Sequence, residues 1–306
     1  MDAPKEVTLV VNPVAGGGVS ARSANDVLRA LRSLGLQVRP VRPTSAEATR
    51  RFVASVDSGG VVVALGGDGF MRWVAAGCLE SGAVMAPLPG GRGNDLCRYL
   101  GVPLEPVEAA LALEHATKRK VDVGCANGEV FLGMASMGWD TWANRYANEF
   151  TSFGPLAYVA GAIKAAITYR PTRFMLRTPG PQASIQSALD SSQEAAEVSE
   201  ERVAWLLDVG NTGRYGGGLI MCPKASITDG ILDIVSIGPV GRVPFFKLVL
   251  QAFKGTHVEH SAVSETFVRR VHIASDKPTE VWADGDHITD LPASIEVKHG
   301  ALEILA

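Results

Sequence analysis

The 306-residue sequence predicts an α/β protein with two domains, a doubly wound parallel α/β domain followed by a mainly antiparallel β domain. Within residues 1–122, short apolar segments alternate with segments of helical periodicity. This alternation is typical of a parallel sheet covered by helices on both faces. Three of the apolar segments end in glycine-rich turns. From residue 121 onward, short alternating segments follow one another with few helices between them, which is typical of antiparallel strands.

The most informative turn follows the apolar segment 61–65, which has the length of a strand buried on both faces. It runs into Gly66-Gly67-Asp68-Gly69, and helical spacing begins at Phe70. Bare glycine N–H groups at a helix N-terminus favour anions such as phosphate. An aspartate beside a phosphate is favourable where a divalent cation lies between them or where a proton is moved. A strand–helix turn with a capping aspartate is the structural alternative.

Two more strands end in the same way. The segment 6–11 is followed by Asn12-Pro13 and three glycines, and the segment 83–88 is followed by Gly90 to Asp95 with Arg92 and Asn94 inside the turn. Parallel strands align their carboxyl ends at one edge of a sheet, and open α/β sheets bind ligands at that edge. The three turns therefore predict one shared binding site.

The remaining elements follow from periodicity and turn residues. In the first domain we predict a helix through residues 27–34 that Gly35 ends, a strand at 36–41, and helices at 47–56, 94–100 and 106–117. In the second domain we predict a hairpin of 121–124 and 129–137, a helix at 153–169, strands at 173–177, 203–210, 219 and 231–237, a loop at about 179–200, and final strands at 268–274, 280–283, 294–297 and 302–305.

Composition narrows the class of protein. The formal net charge is −3. Proteins that bind nucleic acid through its phosphates carry a basic surface, so we do not expect nucleic acid as a partner. No apolar run reaches the ~18 residues of a spanning helix, and the N-terminus lacks the basic-then-apolar pattern of a signal peptide. The four cysteines are widely separated, so we expect free thiols in a reducing cytoplasm.

The motifs resemble those of the diacylglycerol kinase catalytic-domain family, which includes bacterial lipid kinases and the sphingosine and ceramide kinases. The matching segments, in the order of the family, are Asn12-Pro13 with its glycines, Gly66-Gly67-Asp68-Gly69, 90–95, 153–158, 216–218, 223–225, 229–233 and Asp284-Gly285-Asp286. The resemblance implies an ATP-binding α/β domain of residues 1–122, completed by a returning strand at about 295–306. It also implies a β-sandwich domain of residues 123–294 that carries the substrate and metal sites.

The resemblance implies an ATP-dependent lipid kinase that transfers the γ-phosphate, with Mg²⁺, to a lipid hydroxyl such as that of diacylglycerol. Such an enzyme acts at the cytoplasmic membrane surface as a peripheral protein. Two alternatives stay open: a kinase for a soluble acceptor, as in the NAD kinases, and a regulator that binds nucleotide or lipid without catalysis. The 92–95 turn and the 216–218 glycines fit the lipid branch better. The sequence leaves the oligomeric state open, with a homodimer among the outcomes.

The same resemblance implies the nucleotide site. Gly66, Gly67 and Gly69 would donate backbone N–H groups to phosphates, Asn12 would tie the first turn to the same site, and Asp68 would lie at the nucleotide and magnesium. Phosphoryl transfer depends mainly on positioning and on neutralising phosphate charge.

Three further positions belong to the predicted nucleotide site. Phe70 stands where the family commonly has a threonine whose hydroxyl can bond phosphate. Arg92, two residues before Asn94, also replaces a common threonine, and its guanidinium could contact phosphate in a bidentate way or form a surface salt bridge. Thr44 follows the second strand and is a nucleotide contact by position.

Two acidic positions complete the predicted chemistry. Asp286 stands where the family places its general base, which would accept the proton of the acceptor hydroxyl. The family triplet is Asp-Gly-Glu, so here the carboxylate reaches about one bond length less far. Asp229, with the main-chain carbonyls of Ser226 and Ile231, matches a structural magnesium site. A β-turn is the alternative in both places.

The prediction of a site for the lipid acceptor depends on two apolar segments. A lipid tail needs an apolar groove, which residues 156–167 and 245–253 could line, although core packing also explains them. Arg242, Lys247 and Lys254 flank the second segment and would face anionic headgroups or solvent.

Overall fold

The computed structural model describes residues 6–149, 161, 164–165, 167–179, 197–216 and 218–306. Its mixed architecture, a parallel-sheet domain joined to an antiparallel domain, confirms the predicted fold class. The predicted helix at 153–169 lies mostly outside the described residues, and so does most of the loop predicted at 179–200.

The first domain is built on four parallel strands in the order β2-β1-β3-β4. Their bounds are β1 Glu6–Val11, β2 Gln37–Val41, β3 Val61–Gly66 and β4 Val84–Pro89. The helices of this domain are α1 Val19–Ser33, α2 Ala46–Ala54, α3 Asp68–Ser81, α4 Asp95–Leu100 and α5 Pro106–Ala112. Every residue of β3 and β4 is buried, because α2, α3 and α4 cover one face of the sheet and α1 and α5 cover the other.

Local signals begin several of these helices. Ser45 caps α2 by accepting a hydrogen bond from the Ala48 N–H at 3.1 Å, as expected for a serine N-cap. Glu105 accepts from the N–H groups of the first turn of α5, which Pro106 opens. The helix predicted at 106–117 is therefore right at its start, but it ends at residue 112.

The second domain is mainly antiparallel. Its strands are β5 Lys118–Ala126, β6 Glu129–Phe131, β7 Met134–Gly138, β8 Thr172–Pro179, β9 Glu197–Ala204, β10 Leu206–Gly210, β11 Arg214–Tyr215, β12 Leu219–Ile220, β13 Leu232–Ile237, β14 Val263–Val268, β15 Arg270–Ser275, β16 Glu280–Ala283, β17 Asp286–Asp290 and β18 Ala293–Leu305. This part also contains α6 Trp139–Glu149, α7 Arg242–Ala252 and a 3-10 helix at Thr256–Glu259, and residues 161, 164–165 and 167–168 are helical. One sheet has the order β14-β13-β10-β7-β16-β17, and it packs against β8, β15 and β18 around a shared apolar core.

The last strand links the two parts of the chain. β18 pairs in parallel with β4, where Ile304 lies opposite Met85, and in antiparallel fashion with β5 and β15. The sheet of the first domain therefore continues through β18 into β15, β8 and β9. The domain bounds given above stay a prediction.

Two segments predicted as single strands are each divided between sheets. The segment 129–137 forms β6 and β7, because the N–H groups of Leu132 and Gly133 donate to the carboxylate of Asp284, both at 2.8 Å, and leave the strand ladder. The segment 203–210 contributes to β9 and β10, with Trp205 between them. No described helix is both long and apolar enough to cross a bilayer.

Candidate active site

The three glycine turns pack against one another at the carboxyl ends of β1, β3 and β4. The Gly90 N–H donates to the Gly66 carbonyl at 2.8 Å. A Cβ on Gly16 would lie 2.5 Å from the Gly90 oxygen, and one on Gly91 would lie 2.5 Å from Cα of Gly67. A side chain at these positions would overlap backbone atoms, so the close approach of the turns requires glycine. The predicted shared edge is therefore present as a cradle of bare backbone, which suits the phosphates of a nucleotide.

Both predicted asparagines hold turns. Asn12 accepts a hydrogen bond from the Val14 N–H through Oδ1 at 3.2 Å, which is an Asx-turn. Asn94 has a φ of 52°, and its Oδ1 accepts from the N–H groups of Gly90 and Gly91 at 3.2 and 2.8 Å. Its Nδ2 also donates to the Gly91 carbonyl. Both side chains thus shape the cradle, and their direct contact with nucleotide stays a prediction.

Asp68 connects two of the turns. It is the first residue of α3, and its Oδ1 accepts from the Leu96 N–H at 3.2 Å. Burial raises the pKa of this carboxyl, and hydrogen bonds from the backbone at the start of α4 oppose the rise. A Cβ on Gly93 would lie 3.1 Å from Asp68 Oδ2. Asp68 therefore fixes α4 and the 90–95 turn beside α3.

The second domain brings a hairpin to the same place. β16 and β17 are joined by Asp284 and Gly285, whose φ values of 52° and 92° form the two-residue turn that matches the twist of a hairpin. Asp284 is half-buried, and desolvation of its carboxyl raises its pKa to about 7 despite the N–H groups of Leu132 and Gly133 and the nearby charge of Arg72. The hairpin sets Asp286 at the first position of β17.

Asp286 lies against the N-terminus of α3. A Cβ on Gly69 would be 2.8 Å from Asp286 Oδ2, so the candidate base lies next to the residue after Asp68 and leaves no room for a side chain there. The Asp286 side chain is half-exposed. Burial raises the pKa of its carboxyl, while the charge of Arg72 lowers it. A partly accessible carboxylate beside an anion cradle can accept a proton from a hydroxyl placed between them.

The other predicted nucleotide contacts are placed differently. The Phe70 side chain is 9% exposed and packs in the core under β3, so only its backbone is left for the contact with nucleotide, which stays a prediction. The Arg92 side chain is exposed and has no ion pair among the described residues. Thr44 is exposed beyond the carboxyl end of the edge strand β2.

The predicted metal loop contains an oxygen-rich turn. Asp229 is exposed and accepts from the Ile231 N–H at 3.0 Å through Oδ1. Ser226 and Ile231 are half-buried at the two ends of this loop. One carboxylate with backbone carbonyls is a donor set that suits Mg²⁺ or Ca²⁺. Metal binding here stays a prediction.

Sequence reasoning missed Asp122, which holds this loop. Its carboxylate is fully buried and accepts from the Gly230 N–H at 2.6 Å, the Gly300 N–H at 2.7 Å and His299 Nδ1 at 2.7 Å. The Asp122 N–H also donates to the Ile227 carbonyl. Asp122 thus joins β5, the candidate metal loop and β18. Its one sequence signal is a carboxylate inside the otherwise uncharged segment 121–126 of β5.

Sequence reasoning also missed Arg72. This arginine interrupts the apolar helix α3, its side chain is 4% exposed, and it lies between Glu129 and Asp286. A charge at a core-facing position of an apolar helix was the available signal.

The fold and the site together are those of a kinase, in which a glycine cradle for phosphates faces a carboxylate that can accept a proton. Residues 6–126 match the diacylglycerol kinase catalytic domain, and residues 133–306 match the YegS C-terminal NAD kinase beta sandwich-like domain. The chain belongs to the diacylglycerol kinase catalytic-domain family, as its motifs predicted, and is a lipid kinase, a phosphotransferase.

Two relatives agree with this assignment, and a solved structure shares the fold. A protein of Mycobacterium tuberculosis (strain ATCC 25618 / H37Rv) named "Diacylglycerol kinase" is 31% identical over 98% of this chain and 94% of its own. A protein of Pseudomonas aeruginosa named "Probable lipid kinase YegS-like" is 32% identical over 99% of this chain and 95% of its own. A crystal structure described as a diacylglycerol kinase of Bacillus anthracis shares the fold, with a TM-score of 0.70 at 21% identity over 100% of this chain and 98% of that one.

Proposed function

We propose that this lipid kinase transfers the γ-phosphate of ATP to the hydroxyl of diacylglycerol, with magnesium as the cation. The observation that carries this proposal is the position of Asp286, whose Oδ2 would lie 2.8 Å from a Cβ on Gly69, so that a candidate base is next to the glycine cradle. The name of the Mycobacterium tuberculosis relative supports diacylglycerol as the acceptor, and that of the Pseudomonas aeruginosa relative supports a lipid. The competing hypotheses are a kinase for a soluble acceptor and a regulator that binds nucleotide or lipid without catalysis.

The residues present suit this nucleotide. Glycine backbone of the three turns would hold the phosphates, Arg92 would contact them, and Asp68 would lie beside the cation. When bound, ATP would supply the phosphoryl group and magnesium would neutralise the negative charge of the phosphates. Asp286 accepts the proton of the acceptor hydroxyl, and the hairpin that carries Asp286 orients it. The loop of Ser226, Asp229 and Ile231 would hold a structural magnesium ion.

The test is transfer of labelled γ-phosphate from ATP into a total lipid extract in mixed micelles. We expect one labelled lipid that needs magnesium, that mass analysis identifies as phosphatidic acid, and that Asp68→Asn lowers by about 10²-fold or more. Arg51→Gln, on the exposed surface of α2, is the control and should keep native activity. ATP binding without any labelled lipid would contradict the proposal and favour a soluble acceptor or a regulator.

We further propose that the enzyme works on the cytoplasmic leaflet as a peripheral protein, with α7 as its contact. Val243, Leu250 and Phe253 are 68%, 67% and 52% exposed at helical spacing. Lys247 and Lys254 lie exposed on the same face, and residues 242–254 contain no acidic residue. Exposed apolar residues flanked by cations are typical of helices that lie on anionic membranes.

Cosedimentation with vesicles of phosphatidylcholine, alone or mixed with phosphatidylglycerol, tests this contact. Lys247→Gln with Lys254→Gln should weaken binding to the mixed vesicles roughly 30-fold, at about 1 kcal/mol for each charge. Leu250→Ser should weaken binding to both vesicles, whereas Leu111→Ser, at a residue 43% exposed on α5, should not. Unchanged vesicle binding by the α7 variants, or a change in their mass by light scattering, would contradict the proposal. The second result would identify the face as a homodimer contact.

A further inference from the structure

Arg72 is a buried cation with two acidic partners from different strands. Its Nη1 donates to Glu129 Oε2 of β6 at 3.2 Å, and its Nη2 lies 3.8 Å from Asp286 Oδ2 of β17. Its Cζ lies 4.4 Å from the centroid of the Trp73 ring. An unpaired guanidinium at this depth would be strongly unfavourable, so the two carboxylates and the ring hold it in one place.

We propose that Arg72 positions the carboxylate of Asp286 for proton acceptance, and that Glu129 anchors the guanidinium. The inference rests on the proposed function, because it takes Asp286 as the base. Oδ2 of Asp286 lies on the side of Arg72 and Gly69. Neither carboxylate oxygen accepts a hydrogen bond from the described residues, so the ion pair with Arg72 orients the group and leaves Oδ1 for the acceptor hydroxyl. A planar guanidinium held at two edges keeps a fixed plane, which an ammonium group does not.

The side chain of Asp286 makes this positioning important. An aspartate has a short reach, and a displacement of about 1 Å at a reacting group can lower a rate about 10²-fold. The hairpin fixes the backbone of Asp286, but the carboxylate can still rotate. The ion pair with Arg72 restricts that rotation from the side of α3, so orientation of the base depends on a residue of the first domain.

The charges around Arg72 are arranged on several elements. Glu129 and Asp286 face the guanidinium directly, and Asp284 of the hairpin turn feels its charge. The adjoining cavity is also lined by Arg50, Glu80 and Lys298. Arg50 pairs with Glu80 at 2.5 Å, so these two charges largely balance each other. Arg72 is thus a buried cation whose charge acts on the candidate base, Asp286.

A double-mutant cycle separates positioning from a merely structural role. Arg72→Met should lower kcat about 10–100-fold and leave the KM values for ATP and lipid within about twofold. Combined with Asp286→Asn it should lower kcat no further, because the group that it orients is already lost. Arg72→Lys, which keeps the charge without the two-edged contact, should lose less activity than Arg72→Met. Glu129→Gln, which weakens the anchor of the guanidinium, should also lower kcat.

Controls keep the outcome decisive. Arg50→Met removes a neighbouring arginine from the same cavity and should keep native kcat, and circular dichroism should show that each variant is folded. If Arg72→Met does not fold, the cycle is run with Arg72→Lys. Equal losses from the Arg72 variant in the native and Asp286→Asn backgrounds would overturn the inference and leave the proposed function intact. Absence of transfer by the native chain would overturn both.

Discussion

Replacement of Asp286 with asparagine is expected to lower kcat for phosphate transfer about 10²–10⁴-fold, which is the range that a positioned acid–base group contributes. Asparagine has nearly the same shape but cannot take up the proton, so nucleotide binding in the glycine cradle should persist. The measurement is steady-state transfer to diacylglycerol in mixed micelles beside ATP binding. Retained transfer in Asp286→Asn would remove Asp286 as the base.

The dependence of kcat/KM on pH is a second test of Asp286 as the base. A base must be ionised to accept a proton, so kcat/KM should fall as pH decreases through the pKa of Asp286. Burial raises that pKa above the usual value of 3.8, with Arg72 opposing the rise. The acidic limb should therefore lie above pH 3.8 and should disappear in Asp286→Asn. His287→Gln, on the neighbouring exposed residue of β17, is the control and should keep the limb.

Replacement of Gly90 with alanine is expected to destabilise the chain by about 1–3 kcal/mol and to weaken ATP binding at least about tenfold. The added methyl group would overlap Ser20 Oγ and lie 3.0 and 3.1 Å from N and Cα of Gly66. Two turns of the cradle would then have to separate, and the backbone donors would move with them. Thermal unfolding and titration with a fluorescent ATP analogue measure the two effects.

The matched control for Gly90 is Gly241→Ala. Gly241 has a φ of −60°, and a Cβ there would meet its nearest neighbour at an ordinary 3.6 Å. The free energy of unfolding of this variant should lie within about 1 kcal/mol of that of the native chain, and its affinity for ATP should be unchanged. If Gly90→Ala behaved like Gly241→Ala, the close packing of the turns would not be needed for the nucleotide site.

Local patterns in the sequence determined much of the fold and part of the candidate site. The apolar strands that end in glycine turns predicted both the parallel sheet and the edge at which those turns meet, because parallel strands align their carboxyl ends. The β-turn offered at 284–286 as the alternative to a base is present as the turn of the hairpin of β16 and β17, and the role of Asp286 as the base stays a prediction. These features depend on neighbours in sequence, so periodicity and turn chemistry reveal them.

Only the tertiary structure decided which distant residues share an environment. Arg72 meets Glu129 and Asp286, which are 57 and 214 positions away in the sequence. Asp122 meets Gly230 and Gly300, and the carboxylate of Asp284 divides the strand predicted at 129–137. Buried charges take partners wherever packing brings them, because an unpaired charge in the interior is unfavourable. Sequence spacing therefore predicted the turns and most of the strands, whereas the burial of charge determined which distant residues lie beside the candidate base.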